Sequence, residues 1–226
     1  MAKRYELPDA AWDLVADLFT EARRSGRPRA DDRLMLNGVL GVLCSGAAWR
    51  DMPERSSLIR RRKKRGPEEP QDHALGRSRG GLTTKIHMLC DANANGVPLR
   101  FLLSGGQASD IAYAQPLLDE AYIASLRGRH RKRCRWLLAD KGYDAQALRR
   151  YCDRYRMQPV IPLRDMKRKP KPGLARLFDR PKYRQRNIIE RMFGWFKKNR
   201  RTVTRFDKLA TSFAAMVSLA CSMRCL

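Results

Sequence analysis

Two carboxylates stand where a side chain could do chemistry, and Asp140 is the first of them. It ends the apolar run Trp136–Ala139, and Gly142 follows two residues later. A carboxylate at the end of a buried strand, with a glycine opening the next loop, is placed to project into a cleft. A turn or helix-capping role fits the position equally well. Asp144 is the better candidate for a cap, because it immediately precedes a helical pattern that begins at Ala145.

The second carboxylate is Glu190, in a basic segment whose spacing predicts a helix over Tyr183–Arg200. On that helix one polar face would combine the carboxylate with cations and one aromatic ring, through Arg186, Glu190, Phe193 and Lys197. The opposite face would pack inward through Ile189, Met192 and Phe196. This pattern suits a functional carboxylate and an exposed ladder of ion pairs equally well.

The charge balance indicates a polyanionic partner. The 226 residues include 48 Lys+Arg against 23 Asp+Glu, which gives a net charge of +25 and a pI near 10.7. A field of this sign concentrates polyanions, and nucleic acid is the commonest of these. A solvated basic surface is the alternative, but the clustering of the charge favours a nucleic-acid partner.

Several classes of protein are excluded by what the composition lacks. None of the six cysteines forms a CxxC pair and only three histidines are present, so zinc-finger spacing is missing. The first residues lack the apolar core of a signal peptide, and the longest uncharged run, Leu34–Trp49, is short for a membrane span. We therefore expect a cytoplasmic bacterial protein with reduced cysteines, associated with the nucleoid and not with a membrane.

The chain divides into three predicted regions. Residues 1–55 read as a small helical unit, with one helix carrying Trp12, Val15 and Phe19 and a second over Leu34–Cys44. Residues 56–80 read as a basic linker, because the cationic block Arg60–Arg65 repels itself and the following prolines oppose a helix. Residues 81–226 form the third region.

The third region has an α/β pattern. Strands are predicted over Thr83–Cys90 and Pro98–Ser104, and Asn95-Gly96 between them is a strong hairpin signal. Helices and strands then alternate, over Ile111–Ser125, Trp136–Ala139, Ala145–Tyr155, Gln158–Pro162, Tyr183–Arg200 and Leu209–Leu226. A hairpin followed by this alternation predicts a mixed sheet covered by helices.

Three sequence segments resemble one known family. Tyr183, Arg186, Glu190 and Lys197 reproduce Y-x2-R-x3-E-x6-K, the signature around the catalytic glutamate of DDE transposases in the IS-four/IS-five superfamily. LLADKGYD at 137–144 and GRSRGGLTTKIH at 76–87 add two segment matches, so the chain resembles the IS-five group over nearly its whole length.

The resemblance implies a fold, an activity and a set of site residues. The fold would be ribonuclease-H-like, preceded by a helical unit that binds the transposon terminus. Asp140 would be the second metal-binding carboxylate and Glu190 the third, holding Mg²⁺ or Mn²⁺, whose preferred ligands are hard oxygens. Tyr183, Arg186 and Lys197 would hold DNA phosphates. The implied function is cleavage and transfer of double-stranded DNA. The implied partners are that DNA and, as a possibility, further copies of the chain in a homo-oligomer on the DNA.

The sequence departs from the family at its first catalytic aspartate. That residue normally ends the first strand, in a segment reading roughly Ile-Asp-Ser-Thr, yet nothing similar lies between Arg55 and Gly66. We interpret the join as an internal deletion that removes the strand and its aspartate. Asp72, Asp91 and Asp110 lie nearby, but none ends an apolar strand. We therefore expect impaired catalysis, with a catalytically dead DNA-binding remnant or regulator as the alternative and a structural RNA-binding protein as a poorer one.

Overall fold

The computed structural model describes residues 5–19, 30–52, 73–92, 96–123, 131–132, 134–164 and 178–226. The predicted cationic block at 60–65, most of the linker at 56–80 and Asn95 lie outside these residues. The chain forms two compact units, Met1–His73 with Gly194–Leu226, and Ala74–Phe193. The predicted regions instead place residues 194–226 with the α/β region.

The first unit is helical. Its described helices are α1 (Asp9–Asp13), α2 (Asp32–Ser45), α7 (Arg200–Val203) and α8 (Ala210–Cys225), with 3-10 turns at Ala16–Leu18 and Trp49–Asp51. The single helix predicted through Trp12 and Phe19 is wrong in extent, because α1 ends at Asp13. The two aromatic rings still stack, with centroids 5.5 Å apart.

Helix α2 begins and ends where its flanking residues dictate. The Asp31 carboxylate accepts a hydrogen bond from the backbone N–H of Leu34 at 3.0 Å and so caps the first turn. Gly46, at φ +73°, ends the helix in the left-handed conformation that glycine adopts without strain. The amide oxygen of Asn37 accepts the N–H of Leu7 at 2.9 Å and ties the preceding segment to this helix.

The second unit begins with antiparallel strands. Strand β1 (Gly76–Ser78) pairs with the start of β2 (Gly81–Cys90), and β2 pairs with β3 (Pro98–Gly105) from Thr84 onward. The predicted hairpin is therefore confirmed. Gly96, in the connection between its strands, has a positive φ of 63°, which glycine adopts without strain.

The remainder of the second unit has a parallel pair of strands. Helix α3 (Asp110–Glu120) leads to β4 (Trp136–Leu138), and α4 (Gln146–Arg154) leads to β5 (Gln158–Val160), which pairs with β4 in parallel. A cluster of buried residues joins these elements, formed by Ala114, Leu118, Leu137, Leu148, Tyr151, Cys152, Met157 and Ile161. The described strands thus form two small sheets in a mixed α/β unit, and the ribonuclease-H-like arrangement stays a prediction.

The basic helix predicted over Tyr183–Arg200 is broken in the structure. It is divided into α5 (Arg180–Arg184) and α6 (Asn187–Phe196), with a turn at Gln185 and Arg186 between them. Asp179 caps α5 by accepting the N–H of Lys182 at 2.8 Å. Across the break the backbone N–H groups of Arg186, Ile188 and Ile189 bond to carbonyls three residues earlier, so the chain takes a tighter turn there than an α-helix does. None of the described helices is long and apolar enough to cross a membrane.

Candidate functional site

Asp140 lies two residues after the end of β4, with Ala139 between them, as the sequence predicts. Its Oδ1 accepts the backbone N–H of Gly142 at 2.7 Å, which orders the 3-10 turn over Lys141–Tyr143. A Cβ at position 142 would lie 2.8 Å from that oxygen, so the carboxylate keeps this position only beside a glycine. Asp140 therefore orders a turn, as one interpretation of the sequence expected. Its side chain also remains exposed, which the other interpretation, a carboxylate that projects into a cleft, requires.

Asp144 does not act as the predicted cap of the next helix. Helix α4 begins at Gln146, and its N-cap, Ala145, makes no side-chain cap bond. The Asp144 carboxylate instead binds the Arg149 guanidinium at 3.0 Å, and its Oδ2 accepts the backbone N–H of Arg164 at 2.8 Å. Because both side chains of this ion pair are largely buried, Asp144 is engaged in structure rather than available for ligands.

Glu190 lies in the first turn of α6, exposed and paired with a cation. The Arg186 guanidinium donates a hydrogen bond to Glu190 Oε1 across one helical turn. Burial lowers the pKa of Arg186, but its hydrogen bond to Glu190 and the charge of that carboxylate outweigh burial and raise it. The ion pair holds Glu190 Oε1 at the guanidinium and leaves the second carboxylate oxygen for other partners.

The structure brings Asp140 and Glu190 to one cavity. This cavity, of about 390 Å³, lies within the second unit and is lined by β2 from Lys85 to Cys90, by α3, by the end of β4 and by α6. Arg186 lines it as well. Tyr183 does not line it and packs against Phe178 instead, with ring centroids 5.1 Å apart.

Of the predicted site residues, Lys197 lies in the first unit and the others lie in the second. It follows the last residue of α6 and is exposed in a turn of the first unit. The four residues of the Y-x2-R-x3-E-x6-K signature therefore do not lie along one continuous helix face, because the helix breaks before Asn187 and ends at Phe196.

Asp110 also lines the cavity, although its sequence context gave no reason to select it. It is the first residue of α3, and its Oδ1 accepts a hydrogen bond from Lys85 Nζ at 3.1 Å. His87 Nδ1 lies 3.8 Å from the same oxygen. The only local signal was an acidic residue in a first helical turn, which is too common to indicate a site.

Tyr143, which lines the same cavity as Asp110 and Asp140, stays protonated. Burial raises the pKa of Tyr143 to about 12, and the charges of Asp110 and Asp140 contribute to the increase. Its hydroxyl is therefore a neutral hydrogen-bond donor throughout the physiological pH range.

Asp140 and Glu190 are the residues of this cavity that could hold a hydrated divalent ion. Mg²⁺ keeps several waters and is commonly bound through one or two carboxylates, and Asp140 and Glu190 provide two. Across the described residues there is no group of three or more His, Cys, Asp or Glu side chains close enough to hold a metal. Asp110 lies in the same cavity, with its Oδ1 bonded to Lys85, but it does not form such a group with the other two carboxylates.

Comparison with known proteins identifies the family. The family model described as "Transposase DDE domain" matches residues 56–225, and the one described as "Putative transposase of IS4/5 family" matches residues 7–65. The chain belongs to the DDE transposases of the IS4/IS5 family. The resemblance seen in its sequence is thereby confirmed.

Two relatives agree with this assignment. The chain is 32% identical over 202 residues to a putative transposase for insertion sequence element IS402 of Burkholderia cepacia, covering 85% of this chain and 89% of that protein. It is 31% identical over 142 residues to a putative transposase for IS6501 of Brucella ovis, covering 63% of this chain and 97% of that protein. No solved structure matches the chain.

Proposed function

We propose that this protein is an insertion-sequence transposase that binds double-stranded DNA and keeps two of the carboxylates used for metal-dependent strand cleavage and transfer. The observation that carries the proposal is that Asp140 and Glu190, far apart in sequence, line the same cavity. Each carboxylate also has one oxygen already oriented, by the N–H of Gly142 and by the Arg186 guanidinium. This pre-orientation lowers the cost of binding a cation.

A bound Mg²⁺ or Mn²⁺ would polarise a phosphate oxygen and lower the pKa of a water nucleophile. Asp140 and Glu190 are the residues that would hold it. The second oxygen of each carboxylate, Asp140 Oδ2 and Glu190 Oε2, remains to bind the ion. The neutral Tyr143 hydroxyl near Asp140 can donate a hydrogen bond to an anionic oxygen. Asp144 contributes nothing to the ion, because Arg149 and Arg164 hold it.

DNA binding follows from charge and from the position of the basic residues. The net charge of +25 favours duplex DNA with a strong salt dependence, each phosphate contact contributing about −0.9 to the slope of log K against log salt. Arg186 lines the carboxylate cavity, so it is the best placed of the three proposed DNA ligands. Tyr183 precedes it by one turn, with the Arg186 guanidinium 5.7 Å from its ring, and Lys197 is exposed.

We further propose that cleavage by this chain is weak. Two-metal catalysis requires a ligand that both ions share, and the expected first aspartate is missing from the sequence between Arg55 and Gly66. Losing one electrostatic stabiliser costs about 10²–10³ in rate. A DNA-binding remnant or regulator without nuclease activity is the alternative, and it is favoured by the finding that the described residues contain no group of three or more His, Cys, Asp or Glu side chains placed to hold a metal.

The test is a nicking assay on a supercoiled plasmid that carries the sequences flanking the gene, with Mg²⁺ or Mn²⁺. We expect trace cleavage that disappears in Asp140→Ala and Glu190→Ala but persists in Glu120→Ala, an exposed carboxylate outside the cavity. Robust cleavage that Asp110→Ala abolishes would show that Asp110 replaces the missing ligand. Complete inactivity with intact DNA binding would establish the remnant.

A further inference from the structure

In the part of the second unit that the structure describes, two strands each have an edge without a strand partner. Among the described strands, β2 pairs from Thr84 to Cys90 with β3 alone, and β4 pairs with β5 alone. A strand has two edges, so within the described residues β2 over Lys85–Cys90 and β4 over Trp136–Leu138 each keep one that no other strand pairs; at that edge of β4 the Trp136 carbonyl accepts a hydrogen bond from Cys134 Sγ at 3.0 Å.

These two edges border the same space. Six consecutive residues of β2, Lys85–Cys90, and four consecutive residues at β4, Leu137–Asp140, line the 390 Å³ cavity. Successive side chains of a strand point to opposite faces. A cavity that meets every residue in turn therefore runs along the edge of the strand rather than over one face.

The space continues into a second, larger cavity. This cavity, of about 610 Å³, shares with the first the residues Leu89, Cys90, Leu118, Leu137, Leu138, Arg186 and Ile189. We call the two together the strand slot. Its length corresponds to an extended peptide of about six residues, the number of β2 residues along it.

The walls of the strand slot are apolar on both sides. Helix α3 contributes Ala114, Leu117 and Leu118, and α6 contributes Ile189 and Phe193. An occupant between them buries apolar side chains on both faces, while its main chain meets two hydrogen-bonding edges. An extended apolar peptide satisfies both requirements, since a buried polar group left without a partner costs about 1–3 kcal/mol.

The larger cavity adds a charge preference. Its lining carries one carboxylate, Asp91, against six cations, Arg100, Arg131, Lys132, Arg135, Lys182 and Arg186. Their field favours acidic residues at the end of the peptide that lies there.

We propose that the strand slot binds an extended segment of another polypeptide, apolar over about six residues and acidic at one end, which adds a strand between β2 and β4. The proposal goes beyond transposition and needs no DNA or metal. It identifies an interaction surface in the same cavity that Asp140 and Glu190 line.

The test uses the full chain and fluorescent ten-residue peptides of valine and isoleucine, with two glutamates at either the amino or the carboxyl end. We expect one of the two orientations to bind and to raise the thermal unfolding midpoint. Methylating alternate backbone nitrogens of the bound peptide should weaken binding at least about tenfold, because it removes donors to one edge. Replacing its glutamates with lysines should also weaken it.

Hydrogen exchange locates the peptide without any variant. Bound peptide should slow exchange in Lys85–Cys90 and Trp136–Leu138 and leave α8 unchanged. In a second arm, Arg131→Glu should weaken binding several-fold, whereas Arg150→Glu, an equally exposed arginine away from the slot, should not. Equal binding of the methylated peptide, or protection at neither strand, would overturn the proposal. Self-association that the peptide reverses would overturn it in favour of a second copy as occupant.

Discussion

The two sheets of the second unit are stabilised by different interactions. The parallel pair β4–β5 lies on an apolar cluster in which Cys152 is fully buried and Leu148 is 4% exposed. In the hairpin β2–β3, the buried residues are the polar His87 and Ser104, whose Nε2 and Oγ lie 2.7 Å apart. The parallel pair thus lies on closely packed apolar side chains, whereas the two buried residues of the hairpin form a matched polar pair; Leu89 of β2 packs at the margin of the same apolar cluster.

Both sheets border the carboxylate cavity, yet they form no common sheet in the described residues. A change that joins the sheets should affect function, whereas a change within one sheet should affect that sheet's stability in its own way.

The largest expected effect comes from joining the sheets. Inserting a family-like segment that carries Ile-Asp-Ser-Thr between Arg55 and Gly66 should supply both a strand and the missing carboxylate. Metal-dependent cleavage should rise by about 10²–10³, measured as nicked plasmid over time.

The control for the insertion is the same segment with its aspartate changed to alanine, which should bind DNA but not cleave it. Removing Asp140 or Glu190 from the repaired chain should abolish the gain. If the alanine control cleaves equally well, the inserted carboxylate is not the missing ligand.

The second-largest effect is expected from a change in the apolar cluster beneath the parallel pair β4–β5. Leu148→Ala removes a buried side chain beneath the parallel pair and should lower the free energy of unfolding by about 2–5 kcal/mol. Leu82→Ala is the matched control, because Leu82 in the antiparallel sheet is 70% exposed and should contribute little. Urea denaturation measures both, and equal losses would contradict the assignment of the core.

How far the sequence predicts the molecule depends on whether a signal is local. The hairpin was predicted because β-branched and apolar strands and the Asn-Gly signal between them are encoded within 23 residues, from Thr83 to Gly105. Asp140 was found because the apolar run before it identifies a strand end. Asp110 was missed because its relevance comes from Lys85 and Asp140, which reach it only through tertiary packing.

The broken basic helix teaches the same point. Side-chain spacing predicted one face for Arg186, Glu190 and Lys197, but spacing says nothing of where a turn interrupts the backbone. Glu190 still reaches the cavity with Arg186, because these two are one helical turn apart on either side of the start of α6. Lys197, beyond the end of α6, is no longer fixed by that helix.

A smaller effect is expected from a change in the buried polar pair of the hairpin, His87 and Ser104. Ser104→Ala leaves His87 Nε2 buried without its partner and should cost about 1–3 kcal/mol, although the removed hydroxyl leaves almost no apolar void. Ser109→Ala is the control, since Ser109 is exposed and makes no side-chain cap bond at α3. Urea denaturation at neutral pH measures the loss, and a cost no greater than that of the control would show that the pair contributes nothing.

The smallest expected effect is a dependence of stability on pH that His87 introduces in the hairpin. Burial lowers the pKa of His87, Asp110 partly opposes that shift, and Lys85 adds to it, so the neutral ring is favoured in the folded state. The unfolded chain then binds the proton at a higher pH than the folded chain, with a pKa near 6.5. The stability contributed by the neutral ring is therefore complete above about pH 6.5 and decreases as the pH falls toward the folded pKa. Urea denaturation between about pH 5 and 8 should show this decrease, and His87→Gln should flatten it. Leu148→Ala should lower stability by the same amount at every pH, because it removes volume and no charge. A pH slope that persists unchanged in His87→Gln would place its origin outside the hairpin.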